Sequence, residues 1–500
     1  VVFLSERYDC LPEASWIPSE RLKFVNRYVV ERKDTCISCG LCGSLCPHGV
    51  HQRIEGHAKV LPPFNQRCIG PTCASNDFHC VSHCPTNSLR VRESETFSAL
   101  GDVRWTTDMI LATWHMAETG EMLPLDHPGN TGKAGGGFDH LHFKLGNVPE
   151  KVDYAEFSTA IDLNRRKRGE RRRIAIPVYG GGMSYGSVSL HTMVARAKAA
   201  KAWGTYTCTG EGGYPAELVP FKENVITQIA TGLFGVREET IMRAPIVEFK
   251  YAQGAKPGLG GHLLGDKNTP LVAKMREAVP NTSLFSPFPF HSVYSVEDHK
   301  KHLDWISSIN PQALLSVKVS TPNDVEMVAI GSYYAGAHIV HLDGGYGGTG
   351  AAPEIAKKNI AMPIEYAIPK VHKFLTNEGV REDVTLIASG GMRTALDVAK
   401  AIALGADGVV IGTAEMVALG CVRCGNCESG RGCPRGIATT DPVLYLQMDT
   451  NWGAQRLTNL FSAWRKQWCH LLASFGMKDI TELRGRTDLL RYDAGEEVRA

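Results

Sequence analysis

The residues best placed by type and spacing to do chemistry are cysteines. Of 15, eight lie between Cys36 and Cys84 and four between Cys421 and Cys433, leaving Cys10, Cys208 and Cys469 alone. Cys36-Ile-Ser-Cys39-Gly-Leu-Cys42-Gly-Ser-Leu-Cys46-Pro47 is a C-x2-C-x2-C-x3-C-P run. In such a run three close thiolates wrap one iron–sulfur cubane and the fourth cysteine turns away to the other cluster. A second run, Cys68-x4-Cys73-x6-Cys80-x3-Cys84-Pro85, closes the same way, with a wide Cys73 to Cys80 interval. Exchanging fourth ligands predicts one 4Fe-4S cluster on Cys36, Cys39, Cys42 and Cys84 and another on Cys68, Cys73, Cys80 and Cys46. Zinc is the alternative, although its four-cysteine sites are usually two C-x2-4-C knuckles. The late group, Cys421-x2-Cys424-x2-Cys427-x5-Cys433-Pro434, also reads as metal ligands.

These groups need a scaffold, and from about residue 174 the chain alternates β-branched apolar runs with helical stretches, the pattern of a parallel sheet. Eight runs are expected as strands: Ile174 to Tyr179, Thr205 to Thr209, Ile246 to Tyr251, Ser283 to Ser286, Leu314 to Val319, His338 to Leu342, Thr385 to Ala388 and Val409 to Ile411. Each is followed at once by Gly, charged or hydroxyl residues, as in GGGMSYG, AQGAKPG, SPFPFH, DGGYGGTG and SGGMRT. Chemistry at the C-terminal ends of eight strands predicts an α/β fold built on a (β/α)8 TIM barrel. An N-terminal ferredoxin-like domain with two 4Fe-4S clusters and a C-terminal cysteine-rich Fe-S segment complete it. Strands seven and eight end in Ser389-Gly390-Gly391 and Gly412-Thr413, each leading into a helix, which predicts a phosphate cradle. No G-x-G-x-x-G has the Rossmann context, and Gly258-Leu-Gly260-Gly261 reads as a loop, so a monophosphate cofactor such as FMN fits better than NAD(P) or FAD.

Six motifs occur in order: Gly181-Gly-Met-Ser-Tyr-Gly-Ser-Val-Ser189, Thr209-Gly-Glu-Gly-Gly213, Ala252-Gln-Gly-Ala-Lys-Pro-Gly-Leu-Gly-Gly261, Ser316-Val-Lys318, Gly347-Gly-Thr-Gly350 and Cys421 to Pro434. Together they resemble the FMN-binding synthase domain of glutamate synthase, in the short, archaeal-type form with its own ferredoxin module. The resemblance runs from about Trp114 through Asp479 to Leu490. It implies that electrons relayed through the clusters reach FMN and that 2-oxoglutarate and ammonia become glutamate. It places Gly182, Met183, Ser184, Thr209, Gln253, Lys318, Gly345, Gly390, Gly391, Gly412 and Thr413 on FMN, and Lys318, Glu211 and Lys256 at the substrate. Read from the residues alone, Glu211 alternatively caps its glycine loop, and Lys256 alternatively is a solvated loop lysine. The resemblance also implies a 3Fe-4S cluster on Cys421, Cys427 and Cys433, with Cys424 as an extra ligand that would make it 4Fe-4S. Leu259 and His262 stand where the large bacterial and plant enzymes usually have Glu and Gln, and Gly345-Tyr346 replaces a His-Asp pair. The alternatives are a related FMN/Fe-S oxidoreductase or N-methylglutamate-type synthase with another acceptor, or an electron-relay subunit.

Composition bounds the rest. Hydrophobic residues at 43% and charged residues at 21% are near globular averages, while 51 glycines in 500 residues exceed them. Lys plus Arg at 54 against Asp plus Glu at 52 gives +2, no field for nucleic acid. No long apolar span or signal peptide is visible, so a cytoplasmic protein is expected, trimmed of its initiator Met. Expected divisions are an extension (1–30), the ferredoxin-like domain (31–90), a region packing on the barrel (91–171), the FMN barrel (172–420) and the Fe-S loop with a helical tail (421–500). No glutaminase nucleophile or NAD(P)H-oxidising segment is recognised, so a hetero-oligomer is expected. Its other parts would be a glutaminase-type subunit and an NAD(P)H-oxidising flavoprotein or ferredoxin. The run Arg165 to Arg173 reads as a solvated face at the barrel's bottom.

Overall fold

The computed structural model describes residues 12–18, 25–54, 60–76, 78–134, 136–167, 169–287, 293–348, 355–356, 359–428 and 432–493. Cys10, Thr349 and Gly350 of the Gly347–Gly350 motif, and Phe288 to His291 after the expected fourth strand lie outside them. The chain divides into two compact units, Ser19–Asp102 and Val1–Pro18 with Val103–Ala500.

In the smaller unit β1 (Tyr28–Arg32) pairs antiparallel with β2 (Leu89–Glu93), Val30 opposite Val91. Val30, Val50 and Leu89 form a buried cluster against which Cys42, Cys46, Cys68, Cys80 and Cys84 pack. The thiols are thus part of a small interior.

The larger unit holds eight parallel strands: β3 (Val178–Gly180), β4 (Thr207–Cys208), β5 (Val225–Ala230), β6 (Ile246–Lys250), β7 (Leu314–Ser320), β8 (Ile339–Asp343), β9 (Thr385–Ser389) and β10 (Gly408–Ile411). They are ordered β3-β10-β9-β8-β7-β6-β5-β4, and a parallel bridge from Gly182 to Cys208 joins the two ends. Buried β-branched runs make these strands, and helices such as Leu190–Ala202 and Ala395–Ala403 cover them. Both helices start on hydroxyl caps, Ser189 accepting from the Thr192 amide and Thr394 from that of Asp397.

Two expected strands are corrected. Val225–Ala230, absent from the sequence expectation, is the third barrel strand, all six residues buried. Thr227 and Gln228 break its apolar run, but each is hydrogen bonded, to the Thr240 carbonyl and to Glu248. The Ser283 to Ser286 run instead gives Leu284–Phe285, antiparallel to His262–Leu263 outside the barrel. Pro177 splits the expected Ile174 to Tyr179 strand, and Arg173–Ile174 pairs with Ile161–Asp162.

Helix Thr450–Ser474 forms an outer layer with Trp452, Trp464 and Trp468 fully buried. Its Arg456 Nε donates to the Ala418 carbonyl at 2.6 Å and its Trp468 Nε1 to that of Ala395 at 2.8 Å. The Arg165 to Arg173 run is less solvated than its composition suggests. Arg165 pairs with Glu382 and with buried Asp407, and the Arg166 guanidinium lies 4.2 Å over the Tyr333 ring. Among the described residues no helix is long and apolar enough to cross a membrane.

Candidate active site

Lys318 and Lys250 are register partners on adjacent strands β7 and β6, near their C-terminal ends. Lys318 Nζ lies 3.3 Å from Asp343 Oδ2, which also accepts from the Gly254 amide at 3.0 Å. Lys250 Nζ, not singled out by the sequence, lies 3.2 Å from Glu211 Oε1 and donates to Gln253 Oε1 at 3.0 Å. Glu211 therefore anchors a lysine rather than only capping its loop. Its carboxylate also fills the space a Cβ on Gly261 would need, which explains glycine there. Lys256 is 3% exposed and so is no solvated loop lysine.

A further cation escaped the sequence reading. Arg276, 5% exposed, donates to Ser184 Oγ at 2.8 Å and to the Tyr185 carbonyl at 3.0 Å, while its Nε has no protein partner. Burial pushes its pKa down to about 10, against the pull of Glu211. It ends helix Pro270–Arg276, where sequence alone shows one more surface-type arginine. Signals that it is special come only from the loops that fold onto it, since a Cβ on Gly212 would strike its guanidinium.

Under Lys318 runs a buried polar chain. Gln228 Nε2 donates to Glu248 Oε1 at 2.7 Å and Ser316 Oγ to Glu248 Oε2 at 3.1 Å. His341 bridges Glu248, 2.9 Å from its Nδ1, and Ser389 Oγ, 2.8 Å from its Nε2. Ser389 donates to Asp343 Oδ1, completing the path to Lys318. Burial opposes ionisation of Glu248, but His341, Lys318 and Gln228 bring it down to about 2. Burial alone would lower Lys318, yet Asp343 and Glu248 hold its ammonium above the ordinary lysine value. Against burial, Lys318 and His341 keep the Asp343 carboxyl below the usual range. Charges this deep persist because each is paired and hydrogen bonded.

The expected cradle residues meet at the ends of β9 and β10. Gly390 and Gly391 have φ of +96° and +114°, which side chains rarely adopt, and a Cβ on Gly390 would strike the Gly344 carbonyl. A Cβ on Gly412 would enter open space, and one on Gly348 would strike Thr413 Oγ1. Gly345 packs its backbone on Ala361 and Met362. Gly182 lies over the Gln228 amide, Thr209 Oγ1 accepts from the Gln228 amide N–H at 3.1 Å, and a Cβ on Gly210 would strike the Met183 and Ser184 backbone. Tyr346, one of the departures from the family pattern, lies under the Arg104 guanidinium, 3.6 Å from its ring centroid. His262 stacks on Phe285 at 5.8 Å.

The smaller unit brings its eight cysteines together in the exchanged sets. One pocket is lined by Cys36, Cys39, Cys42 and Cys84, and another by Cys46, Cys68, Cys73 and Cys80. All eight are free thiols. Among the described residues no three His, Cys, Asp or Glu side chains come close enough to share one ion. Burial and the neighbouring thiols push Cys80 up to about 12. Burial opposes it, but the Ser88 and Thr86 amides hold Cys84 below the usual thiol value. In the larger unit burial raises Cys421 to about 11, with Cys427 and Cys433 adding to it, whereas Cys424 is exposed.

Residues 139–478 match the family model described as the conserved region in glutamate synthase. The archaeal-type glutamate synthase (NADPH) of Thermotoga sp. (strain RQ2) is 36% identical over 487 residues, covering 93% of this chain and 94% of its own. The archaeal glutamate synthase (NADPH) of Methanocaldococcus jannaschii is 35% identical over 495 residues, covering 93% and 95%. The glutamate synthase (NADPH) large chain of Azospirillum brasilense is 35% identical over 358 residues, 70% of this chain and 23% of its own. With a buried lysine at a barrel strand end, residues 139–478 matching the family model and 93% of its length matched by the archaeal-type synthases, this chain belongs to the glutamate synthase family.

Proposed function

We propose that this chain reductively aminates 2-oxoglutarate to glutamate with electrons passed through Fe-S clusters to FMN. The balance is 2-oxoglutarate, ammonia, two electrons and two protons giving glutamate and water. One observation carries the reading. Lys250, Lys318 and Arg276 lie buried or half-buried at the C-terminal side of the barrel, held by Glu211, Asp343 and Ser184. Such cations suit a dicarboxylate and the negative charge that develops as its carbonyl reacts.

FMN, when bound, would supply the two-electron transfer to the imino carbon. The open space at Gly412 and the positive φ of Gly390 and Gly391 support its phosphate there, with Gly182, Met183, Ser184, Thr209, Gln253, Gly345 and Thr413 around the same strand ends. Lys318 holds a fixed positive charge against flavin and substrate, Arg276 binds a carboxylate, and Lys256 and Glu211 line the substrate side. The C-x2-C-x2-C-x3-C-P spacing and the two thiol-lined pockets favour two 4Fe-4S clusters over zinc. Cys421, Cys427 and Cys433 are half-buried while Cys424 is exposed, which favours a three-cysteine 3Fe-4S site; Cys427 also feels Cys424, and Cys424 as a fourth ligand would make the site 4Fe-4S. Ammonia comes from a glutaminase-type subunit, and electrons from an NAD(P)H-oxidising flavoprotein or a ferredoxin. The NADPH in the names of the relatives supports the first donor.

Anaerobic protein with a reduced low-potential donor should make glutamate from 2-oxoglutarate and ammonium, and use glutamine poorly until a partner is added. If the flavin cycles but no glutamate forms at any ammonium concentration, the acceptor assignment fails. Leu259, His262 and the Arg104–Tyr346 stack are then the place to seek another substrate.

A further inference from the structure

The two thiol-lined cavities are alike in ligands and unlike in what else faces them. Arg32, the last residue of β1, lies against the cavity of Cys36, Cys39, Cys42 and Cys84. Its Nη1 is fixed by the Val60 and Leu61 carbonyls at 3.1 and 3.2 Å. Its Nε and Nη2 are buried and have no protein acceptor. Burying a donor unpaired is costly, so such groups normally face a partner. The guanidinium is donor-only and keeps its charge. The exposed Arg53 guanidinium lies beside Gly40, which lines the same cavity.

Among the described residues no lysine or arginine lines the other cavity, although His51 there feels Arg32 at longer range. Beside Cys46, Cys68, Cys73 and Cys80 it is lined by Val30, Val50, Ile69, Phe78 and Val91, with His48, His51 and His79. His51 is 3% exposed and neither ring nitrogen has a protein partner. Its imidazole can offer a ring N–H to that cavity. Arg67, next to Cys68, is exposed, so water and salt screen its charge.

Reducing a 4Fe-4S cluster adds one negative charge, and cluster potential follows local charge and hydrogen bonds to sulfur. A charged donor in a partly buried site stabilises that electron more than a neutral one. Resting on the two-cluster reading above, we propose that Arg32 donates to the sulfurs of the cluster held by Cys36, Cys39, Cys42 and Cys84. That makes this cluster the higher-potential member of the pair. At equilibrium a single electron on the module therefore resides on it. His51 takes the corresponding donor place at the Cys46, Cys68, Cys73 and Cys80 cluster.

The test is an EPR-monitored redox titration of the full, cluster-loaded chain, with the first cluster's signal identified by its perturbation in Cys39→Ser. In the parent that signal should titrate at the higher potential. Arg32→Met should lower its midpoint and leave the second unchanged, Arg32→Lys should shift it less, and His51→Leu should lower only the second. Arg32→Gln carries the expectation of Arg32→Met should that variant fail to assemble. Unchanged midpoints in the Arg32 variants, a shift confined to the other signal, or a lower potential for the Cys39-sensitive cluster in the parent overturns the proposal. Iron and sulfide too few for two cubanes, or zinc in their place, would instead sink the cluster reading on which it rests.

Discussion

Lys318 owes its position to a carboxylate rather than to the pocket it faces. Asp343 holds Nζ, and Ser389, His341 and Glu248 hold Asp343, so a charge needed at the strand ends is set from inside the barrel. If this ammonium stabilises developing negative charge, Lys318→Ala should lower kcat for glutamate formation on the order of 100-fold while FMN remains bound. Steady-state rates beside flavin absorbance check both halves, and full activity would remove Lys318 from the reaction. Glu248 carries a second expectation. Its folded pKa, about 2, lies below the ordinary carboxylate value of 4.5, so the stability it adds is present above about pH 4.5 and lost as pH falls toward 2. The shift corresponds to about 3 kcal/mol. Glu248→Gln should therefore be less stable at neutral pH and lose less on acidification. Fluorescence of buried Trp452, Trp464 and Trp468 reads this without relying on acid-labile clusters.

At the scale of elements, the strand-to-helix turns after β9 and β10 depend on backbone shapes that only glycine provides. Gly390→Ala meets both a φ of +96° and the Gly344 carbonyl, so it should destabilise the chain by about 1–3 kcal/mol and weaken FMN retention. Thermal melts with and without added FMN separate the two effects. The short helix Thr413–Ala418 is held by the buried pair of Arg196 Nε and Glu415 Oε2 at 2.8 Å, with Arg196 Nη2 donating to the Gly181 carbonyl at 2.6 Å. Breaking it with Glu415→Ala strands a buried guanidinium and should cost about 3–5 kcal/mol. Urea denaturation of the two proteins compares them directly.

For the whole molecule, three cluster sites of four, four and three or four irons predict roughly 11 to 12 iron atoms per chain in anaerobic protein. Exposed Cys424 decides between the two totals. If it is a bystander, Cys424→Ala keeps the parent's three-iron EPR signal and its iron content. If it is a ligand, the parent lacks that signal and the variant gains it.

The cysteine runs, their grouping into two quartets and the glycine-rich strand ends were legible in the sequence because each is a local pattern, fixed by how few residues separate the groups. Eight strands were counted, but one was misplaced. Local hydrophobicity cannot tell that Gln228 points into a polar barrel interior while Thr227 is satisfied by the helix outside it, or that Leu284–Phe285 pairs outside the barrel. Tertiary structure alone disclosed Lys250, Arg276 and the His341 chain. Their partners, Glu211, Ser184, Glu248 and Ser389, come from strands and loops tens of residues away. A lysine's or histidine's sequence neighbours do not say whether burial will leave it a charge to balance. Only the packed barrel decides which carboxylate does so.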